Sequence, residues 1–504
     1  MVNGIRYLQL EDMPKVPPVY NGITSRFIRE NRIALIEFKN NVLSVAMADP
    51  SDVSTIDALR VATSAEIKVY GVDAGVLEEY MARLYGQESQ NITRIIEEIG
   101  VKSGLEFTRE DEEDIGHLKD LASEAPIIKL VNMIIVRAVE NRASDIHIEP
   151  YEDELKVRYR IDGILHDIES IPKKLQAAVI SRIKLTAKLN IAERRLPQDG
   201  RIRLRVAERE IDLRISTIPV LYGESVVMRI LDKEGVVVDL ERLGFLPEML
   251  HSLEQLIIKP NGIILVTGPT GSGKTTTLYG ALDKINSPDK KIITVEDPVE
   301  YQLKGINQIQ VKPQIGLNFS NTLRHIVRQD PDVIMIGETR DLETAQIAIQ
   351  AALTGHLVFS TLHTNDAPSA ITRLHDMGVE KFLLSSTIRG ILAQRLVRTI
   401  CPMCREIDNA PAYAGSDALQ VSEAFKGRGC EHCSFTGFRG RIGIFELIVV
   451  DDVMSNLLLQ TSDSNTIREQ ARAGGMKTLM EDGMEKIKSG QTTYGELFRV
   501  TQEV

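Results

Sequence analysis

The stretch Gly262-Ile-Ile-Leu-Val-Thr-Gly-Pro-Thr-Gly-Ser-Gly-Lys-Thr-Thr-Thr-Leu-Tyr-Gly280 decides the fold. Ile263–Val266 is short and wholly apolar, as expected of a strand covered on both faces. Gly268 to Thr275 then matches G-x-x-x-x-G-K-[ST] and opens a helix, the context that motif requires for binding phosphate. Glycines let backbone N–H groups wrap an anion, and a helix N-terminus adds partial positive charge. Gly268, Pro269, Thr270, Gly271, Ser272, Gly273, Lys274, Thr275 and Thr276 are therefore the expected ATP-binding residues. Lys274 is expected to neutralise β- and γ-phosphate oxygens, and Thr275 to hold Mg²⁺ through its hydroxyl.

Outward from this loop, residues 241–504 alternate strands and helices, as a parallel sheet with crossover helices would. Ile292–Val295, Val333–Ile336 and Leu357–Leu362 are further apolar strands, and the ends of such strands are where α/β ligands bind. Asp332-Val-Ile-Met-Ile-Gly337-Glu338 reads as a Walker B strand end, with Gly337 where a metal-holding Asp is often found. Glu338 is expected to orient or deprotonate the attacking water. Glu296, opening Glu296-Asp297-Pro298-Val299-Glu300, is expected to assist the metal or the water; an Asp-Pro turn is the plainer reading. His356 and His363 flank the last of these strands. Either would donate to a phosphate oxygen or sense nucleotide state, against the plainer reading of a satisfied structural histidine.

Cys401-x2-Cys404 and Cys430-x2-Cys433 hold all four cysteines of the chain and are separated by 25 residues. Thiolates two residues apart on tight knuckles can share one tetrahedral Zn²⁺, and four sulfur ligands close the shell. The expected metal is therefore structural, with free thiols or a redox pair as the alternative. The core-poor segment 409–416 between the pairs suits a metal-held excursion.

Towards the N-terminus, residues 1–86 read as a small α/β module, with strand-like runs Ile33–Phe38 and Val42–Ala48, capping chemistry at Asp49-Pro-Ser-Asp52, a strand at Glu66–Tyr70 and a helix over 74–85. Residues 87–121 read as a linker, because Glu106–Asp114 carries six acids and one Arg. Residues 122–232 read as an α+β domain. Pro126 starts a helix with apolar positions 127, 128, 131, 134, 135 and 138, and period-two strands follow around 155–161, 201–206 and 211–215. From 156 to 214 there are 15 Lys/Arg against 8 Asp/Glu, so these half-buried strands present a basic face. Arg201, Arg214 and Arg229 lie on or beside them as arginine-finger candidates for a γ-phosphate; a solvated strand face is the alternative.

The composition bounds these readings. Length 504 suggests roughly three domains. Apolar residues at 43% and charged residues at 26% exclude wholesale disorder and a disulfide-dense mini-protein. A formal charge of −11 argues against bulk nucleic-acid binding. With no apolar span long enough for a bilayer, no signal-peptide pattern and few cysteines, the expected location is the cytoplasm.

Together these residues resemble the secretion and type IV pilus traffic ATPases. The resemblance runs from about residue 122 to the end. It rests on Ala143-Ser-Asp-Ile-His-Ile-Glu149, Pro197-Gln-Asp-Gly-Arg201, the phosphate loop, Ile293–Glu300, Arg328–Glu338, and Thr354-Gly-His356 through Thr361-Leu-His-Thr-Asn365. That family has Gly before the Walker B Glu. It implies a homo-hexameric ring of RecA-like P-loop motor domains. Each motor domain follows a PAS-like α+β domain and a small α/β docking domain, with ATP bound between the last two domains and a four-cysteine zinc insert at about 398–440. The insert argues against retraction ATPases, and the segments 376–398 and Val45–Asp52 look more like the type II secretion branch than the pilus-extension branch. The implied partners are the cytoplasmic part of an inner-membrane secretion protein, bound through residues 1–86, and an inner-membrane platform protein, with peripheral attachment to that membrane. Some relatives bind a cyclic dinucleotide through R-L-G-x-x-L repeats, which this sequence lacks. A RecA-class DNA motor and a nucleotide-gated scaffold with little turnover are the rival readings.

Overall fold

A computed structural model of the chain describes residues 6–14, 23, 27–28, 31–39, 42–63, 65–77, 80, 115–206, 209–232, 239–408 and 424–501. Most of the expected acidic linker, residues 87–114, lies outside the described residues, as does the segment 409–423 between the cysteine pairs. The chain divides into two units, each taken by itself here: residues 1–159, 166–202 and 214–228, and residues 160–165, 203–213 and 229–504.

The first unit opens with β1 (Tyr7–Leu8), β2 (Ile33–Lys39), β3 (Val42–Met47), α1 (Val53–Thr63) and β4 (Glu66–Val72), giving a sheet of order β1-β4-β3-β2. The expected strands and helix appear. Asp52 Oδ1 accepts the Ser54 and Thr55 N–H groups and so starts α1. Helix α1 then crosses over between the parallel strands β3 and β4, and Leu59 packs on Leu43, Val45 and Ile67. The helix expected over 74–85 is described only at 74–77 and 80.

The chain continues with α2 (Ile115–Ala122), α3 (Ala125–Glu140), β5 (Ala143–Pro150), β6 (Glu154–Ile161), β7 (Ile164–Pro172), α4 (Gln176–Thr186), β8 (Gln198–Val206), β9 (Arg209–Val220) and β10 (Gly223–Asp232). The strands form one sheet of order β7-β6-β5-β10-β9-β8. Pro126 sits in the first turn of α3, whose buried stripe is Ile127, Leu130, Val131, Ile134, Ile135 and Ala138. Tyr159 Oη donates to Ile134 O at 2.5 Å, tying β6 to that helix. Alternation holds on β6 and β8: Leu155, Val157, Tyr159, Ile202 and Val206 are buried, while Arg201, Arg203 and Arg205 are exposed. On β9 it fails, because Asp212 is buried between Ile211 and Leu213.

In the second unit, α5 (Pro247–Ile257), β11 (Gly262–Thr267), α6 (Lys274–Ile285), β12 (Ile292–Glu296), β13 (Asn307–Gln310), α7 (Phe319–Ile326), β14 (Val333–Ile336), α8 (Leu342–Leu353), β15 (Leu357–Leu362), α9 (Ala367–Asp376), α10 (Lys381–Thr387) and β16 (Ile388–Ile400) alternate as expected. The short pair β17 (Arg405–Ile407) and β18 (Phe425–Gly427) follows, then β19 (Phe438–Val449) and helices α11 (Asp452–Gln460), α12 (Ser464–Ala473), α13 (Leu479–Lys488) and α14 (Tyr494–Thr501). The sheet order is β13-β12-β14-β15-β11-β16-β19.

Both faces of this sheet are covered, which explains its continuous apolar strands. Ile263, Leu265, Ile293, Val295, Ile334, Ile336 and Val358 face α7, α8 and α9; their alternates Ile264, Val266, Ile292, Val333, Met335, Leu357 and Phe359 face α5 and α6. One edge departs from the expected parallel sheet. Strand β19 is antiparallel to β16, from Gly390↔Val449 to Ile400↔Phe438. The two strands form a long hairpin whose far end carries the cysteines, so no crossover helix is needed to connect them.

The C-terminal helices lock onto this hairpin through Glu496. Its carboxylate accepts from Arg398 Nη2 at 2.7 Å, Arg398 N at 3.0 Å and Arg499 Nη2 at 2.8 Å. Burial pushes this group up, but the hydrogen bonds from Arg499 and Arg398 and the Arg398 charge outweigh it and bring the pKa down to about 2. A depressed folded-state pKa adds stability above the ordinary glutamate value, and that stability is lost as pH falls through the folded value. Glu496→Gln should therefore cost on the order of 2 kcal/mol at pH 7, after allowing for solvent screening. The difference from wild type should shrink between about pH 4.5 and pH 2 in denaturant unfolding. A pH-independent difference would show that the ion pairs do not carry the effect.

Candidate functional site

At the end of β11 the chain turns at once into α6. Gly268, Gly271 and Gly273 have φ of +148°, +79° and +88°, conformations that side chains rarely adopt. Two of them are also crowded by β16. A Cβ on Gly268 would lie 2.5 Å from Gln394 O, and one on Gly273 would lie 2.7 Å from Gln394 Nε2. Gln394 Oε1 accepts from Thr277 Oγ1 at 2.7 Å, so β16 also grips the helix that follows the loop.

Lys274 is buried, and its ammonium donates to Gly268 O at 2.7 Å and Pro269 O at 3.0 Å. Burial pulls the amine down to about 8, Glu338 pulls the other way, and Arg395 adds to the lowering. It is therefore mostly a cation at neutral pH. Thr275 and Thr276 follow on the first turn of α6, half-buried.

Strand β14 delivers Glu338 beside this loop. Gly337 N donates to Val295 O at 2.8 Å, Thr361 Oγ1 donates to Gly337 O at 2.6 Å, and Thr339 N donates to Thr361 O at 3.0 Å. A Cβ on Gly337 would meet Val295 O at 3.2 Å and Glu296 Cα at 3.3 Å, a tight fit for any side chain at that position. Glu338 Oε2 lies 2.7 Å from Arg340 Nη2, and Oε1 lies 3.2 Å from His363 Nε2. Burial pushes Glu338 up, but the Arg340 hydrogen bond and charge, His363 and Lys274 together hold it below the ordinary range. Burial and Lys274 hold the His363 imidazole low, with Glu338 pulling the other way, and its Nε2 stays within reach of the carboxylate. An ionised carboxylate fixed on two sides and set beside a phosphate loop can orient a water and take its proton.

The other expected residues fall elsewhere. Glu296 is buried at the end of β12. Tyr279 Oη and Thr294 Oγ1 (2.6 Å) donate to it, as does Gln308 Nε2 (3.1 Å), and burial pushes its pKa up. As placed, it braces α6 against β12, and a role at a metal would require that network to open. His356 takes the plainer reading: Nδ1 lies 2.8 Å from Ala351 O and 3.1 Å from Thr354 Oγ1, closing the end of α8. Arg201, Arg214 and Arg229 lie on β8, β9 and β10. Sequence reading missed Arg340, Gln394 and Arg395. Arg340 had a signal only in lying two residues after Glu338, just past the end of β14. Gln394 and Arg395 had none, being two polar residues inside an apolar strand.

The four thiols converge at the hairpin end, with all Sγ atoms within 4.8 Å of one another. Cys401–Cys430 is 3.8 Å, Cys404–Cys433 3.9 Å and Cys430–Cys433 3.8 Å. Zinc–sulfur bonds of about 2.3 Å put tetrahedral sulfurs about 3.8 Å apart, so the set fits one ion. Disulfides at about 2.05 Å are excluded for these pairs. Burial pushes Cys401 and Cys404 up, Cys404 to about 12, whereas hydrogen bonds from Cys433, Cys401 and Cys404 outweigh burial and hold Cys430 low.

A family model described as type II/IV secretion system protein matches residues 120–499, and an MshEN domain model matches residues 3–91. The chain belongs to the type II/IV secretion system protein family. It is an ATPase. It is 51% identical to the type II secretion system protein E of Xanthomonas campestris pv. campestris, across 98% of this chain and 88% of that protein. It is 41% identical to the type IV pilus assembly ATPase PilB of Myxococcus xanthus, across 98% and 88%. The crystal structure of the pilus retraction motor PilT with bound ADP aligns at a TM-score of 0.50 and 28% identity, covering 74% of this chain and 97% of that one. Among the described residues of this secretion-family ATPase, no helix is long and apolar enough to cross a membrane.

The thiol geometry makes a direct test possible. Purified protein should carry about one zinc per chain by elemental analysis, and Cys404→Ser should lose it, because three thiolates and a hydroxyl no longer close the shell. A full equivalent of zinc retained by Cys404→Ser would show that the ion is held elsewhere.

Proposed function

We propose that this chain is the cytoplasmic ATPase of a type II secretion system, working as a homo-hexamer that hydrolyses ATP to drive pseudopilus assembly and protein export. The observation that carries this reading is the 51% identity to a type II secretion protein E across nearly the whole chain, N-terminal module included. In this reading residues 1–86 dock onto the cytoplasmic part of an inner-membrane secretion protein, 87–121 link, 122–232 form the second domain and 241–504 the motor. The ATPase is then peripheral to the inner membrane, engages a platform protein there and needs no nucleic acid.

The chemistry follows from the site. The loop from Gly268 to Thr276 and Lys274 bind the phosphates of ATP. Magnesium, when bound through Thr275, neutralises charge on the β- and γ-phosphates. Glu338, held by Arg340 and His363, orients the attacking water and accepts its proton. One or more of Arg201, Arg214 and Arg229 supply positive charge to the transferring phosphoryl group, and Glu296 assists the metal or the water once its buried network opens. The zinc ion held by the four cysteines is structural.

The second reading, a type IV pilus extension ATPase, is favoured by the 41% identity to PilB over 98% of the chain. The chemistry would be the same and the partners different.

Two measurements test these readings. Lys274→Ala should reduce ATP hydrolysis by roughly 10²-fold or more, since it removes the phosphate-facing cation; unchanged hydrolysis would remove the loop from the mechanism. Glu338→Gln, expressed in the native cell, crosslinked and solubilised, should co-purify with secretion-platform proteins identified by mass spectrometry. Recovery of pilus assembly proteins instead would move the chain to the second reading, and recovery of DNA would overturn both.

A further inference from the structure

The segment from His363 to Asp366, between β15 and α9, is held by side chains from four directions. His363 meets Glu338. Thr364 N donates to Thr267 Oγ1 at 2.9 Å, at the foot of the phosphate loop. Asp366 caps α9 by accepting from Ser369 N at 2.8 Å and pairs with Arg468 at 2.6 Å. Between them, the exposed Asn365 is gripped by a buried arginine. Arg395 Nη2 donates to Asn365 O at 3.0 Å and to Asn365 Oδ1 at 3.2 Å.

Arg395 is only 6% exposed. It lies on β16 just past Ala393, the partner of Thr267 at the end of β11, and so runs alongside the phosphate loop. Its charge is near enough to Lys274 to lower that amine. Burying a guanidinium is costly, and setting it close to a second cation adds repulsion. What it gains here is geometry, since one guanidinium nitrogen engages the main-chain and side-chain oxygens of the same residue.

We propose that Arg395 is a positioning residue for ATP hydrolysis, fixed on β16 and holding Asn365 so that His363, two residues earlier, stays against Glu338. Arg395 acts through Asn365 and does not need to touch the nucleotide. The inference rests on Glu338 being the group that acts on water, and it is independent of which secretion or pilus machine the ATPase drives. Lysine is no substitute, because a flexible point charge cannot reproduce a planar donor group.

The test uses the full-length protein and measures steady-state hydrolysis, binding of a fluorescent ATP analogue and thermal unfolding. The variants are Arg395→Gln, Arg395→Lys, Asn365→Ala, the double Arg395→Gln/Asn365→Ala, and Glu338→Gln. Displacing a catalytic group by an ångström can cost 10²-fold, so kcat should fall by about that much in Arg395→Gln, and by a smaller but measurable factor in Asn365→Ala, whose main-chain carbonyl still accepts from Arg395. In Asn365→Ala, which leaves every charge around the loop in place, analogue affinity should stay within about threefold. Arg395→Lys should not rescue kcat, and the double variant should be no slower than the slower single, as expected of two residues acting as one unit. Losses that multiply, rescue by Lys, or a loss of analogue affinity that accounts for the fall would each overturn the proposal. If Arg395→Gln does not fold, Asn365→Ala decides alone, because it removes an exposed side chain and leaves the arginine in place; unchanged kcat overturns the proposal. Full activity in Glu338→Gln would instead overturn the reading of the site itself, whereas a loss there with unchanged Asn365→Ala overturns only the role of Arg395.

Discussion

The nucleotide end of this molecule depends on one steric constraint: the 2.5 Å that would separate a side chain on Gly268 from the carbonyl of Gln394. Strand β16 runs so close to the start of the phosphate loop that the loop's first residue can carry no Cβ. That proximity fixes the height at which the chain leaves β11 and hence the direction of α6. The contact repeats at Gly273, where the Gln394 amide occupies the space a side chain would need. A loop pressed on one side and lined with glycine leaves room for an anion to approach its backbone closely.

Charge is distributed to match. Around the loop lie two buried cations, Lys274 and Arg395, and one carboxylate, Glu338, flanked by Arg340 and His363. Burial chiefly, and repulsion from Arg395 after it, lowers the Lys274 amine. An anionic triphosphate relieves that repulsion, so the site is electrostatically organised for a polyanion before one arrives. The same field keeps Glu338 ionised, because burial alone would push it towards the neutral acid. A carboxylate kept charged in this way can hold and orient a water by accepting its hydrogen bond.

How much of this was legible in the sequence follows from whether each feature is local. The phosphate loop, the apolar strands, the capped helix α1 and the cysteine pairs are short-range patterns, and the structure places each where its pattern put it. The antiparallel β16–β19 edge was not legible, because nothing in Ile388–Ile400 says whether its partner precedes or follows, and 37 residues separate the two strands. Buried Asp212 breaks the alternation of β9 for a similar reason: period-two reading assigns a face and cannot see what covers it. At the site, Glu338 and Lys274 were readable from motif chemistry. Glu296 was read as a strand-end acid, but its oxygens are committed to Tyr279, Thr294 and Gln308, partners that only the tertiary fold brings within reach. Gln394 and Arg395 act on the loop from more than a hundred residues away in sequence.

The same strand that crowds the loop also leads to the thiols. From Arg395 to Cys401 is six residues, about 20 Å of extended chain, and the strand is paired throughout with β19 or β11. A two-stranded hairpin is marginal alone and needs its exposed end held. Here the end is held three ways: the sulfur cluster, Ile400 N donating to Gln491 O at 2.8 Å, and Glu496 between Arg398 and Arg499. Each acts at or just beyond the end of β16, so the strand is pinned at its far end. A phosphate loop shaped by contact with β16 can be no more rigid than β16 itself. The thiol cluster and the C-terminal helices, distant from the nucleotide, are thereby part of what keeps Gly268 and Gly273 where they are.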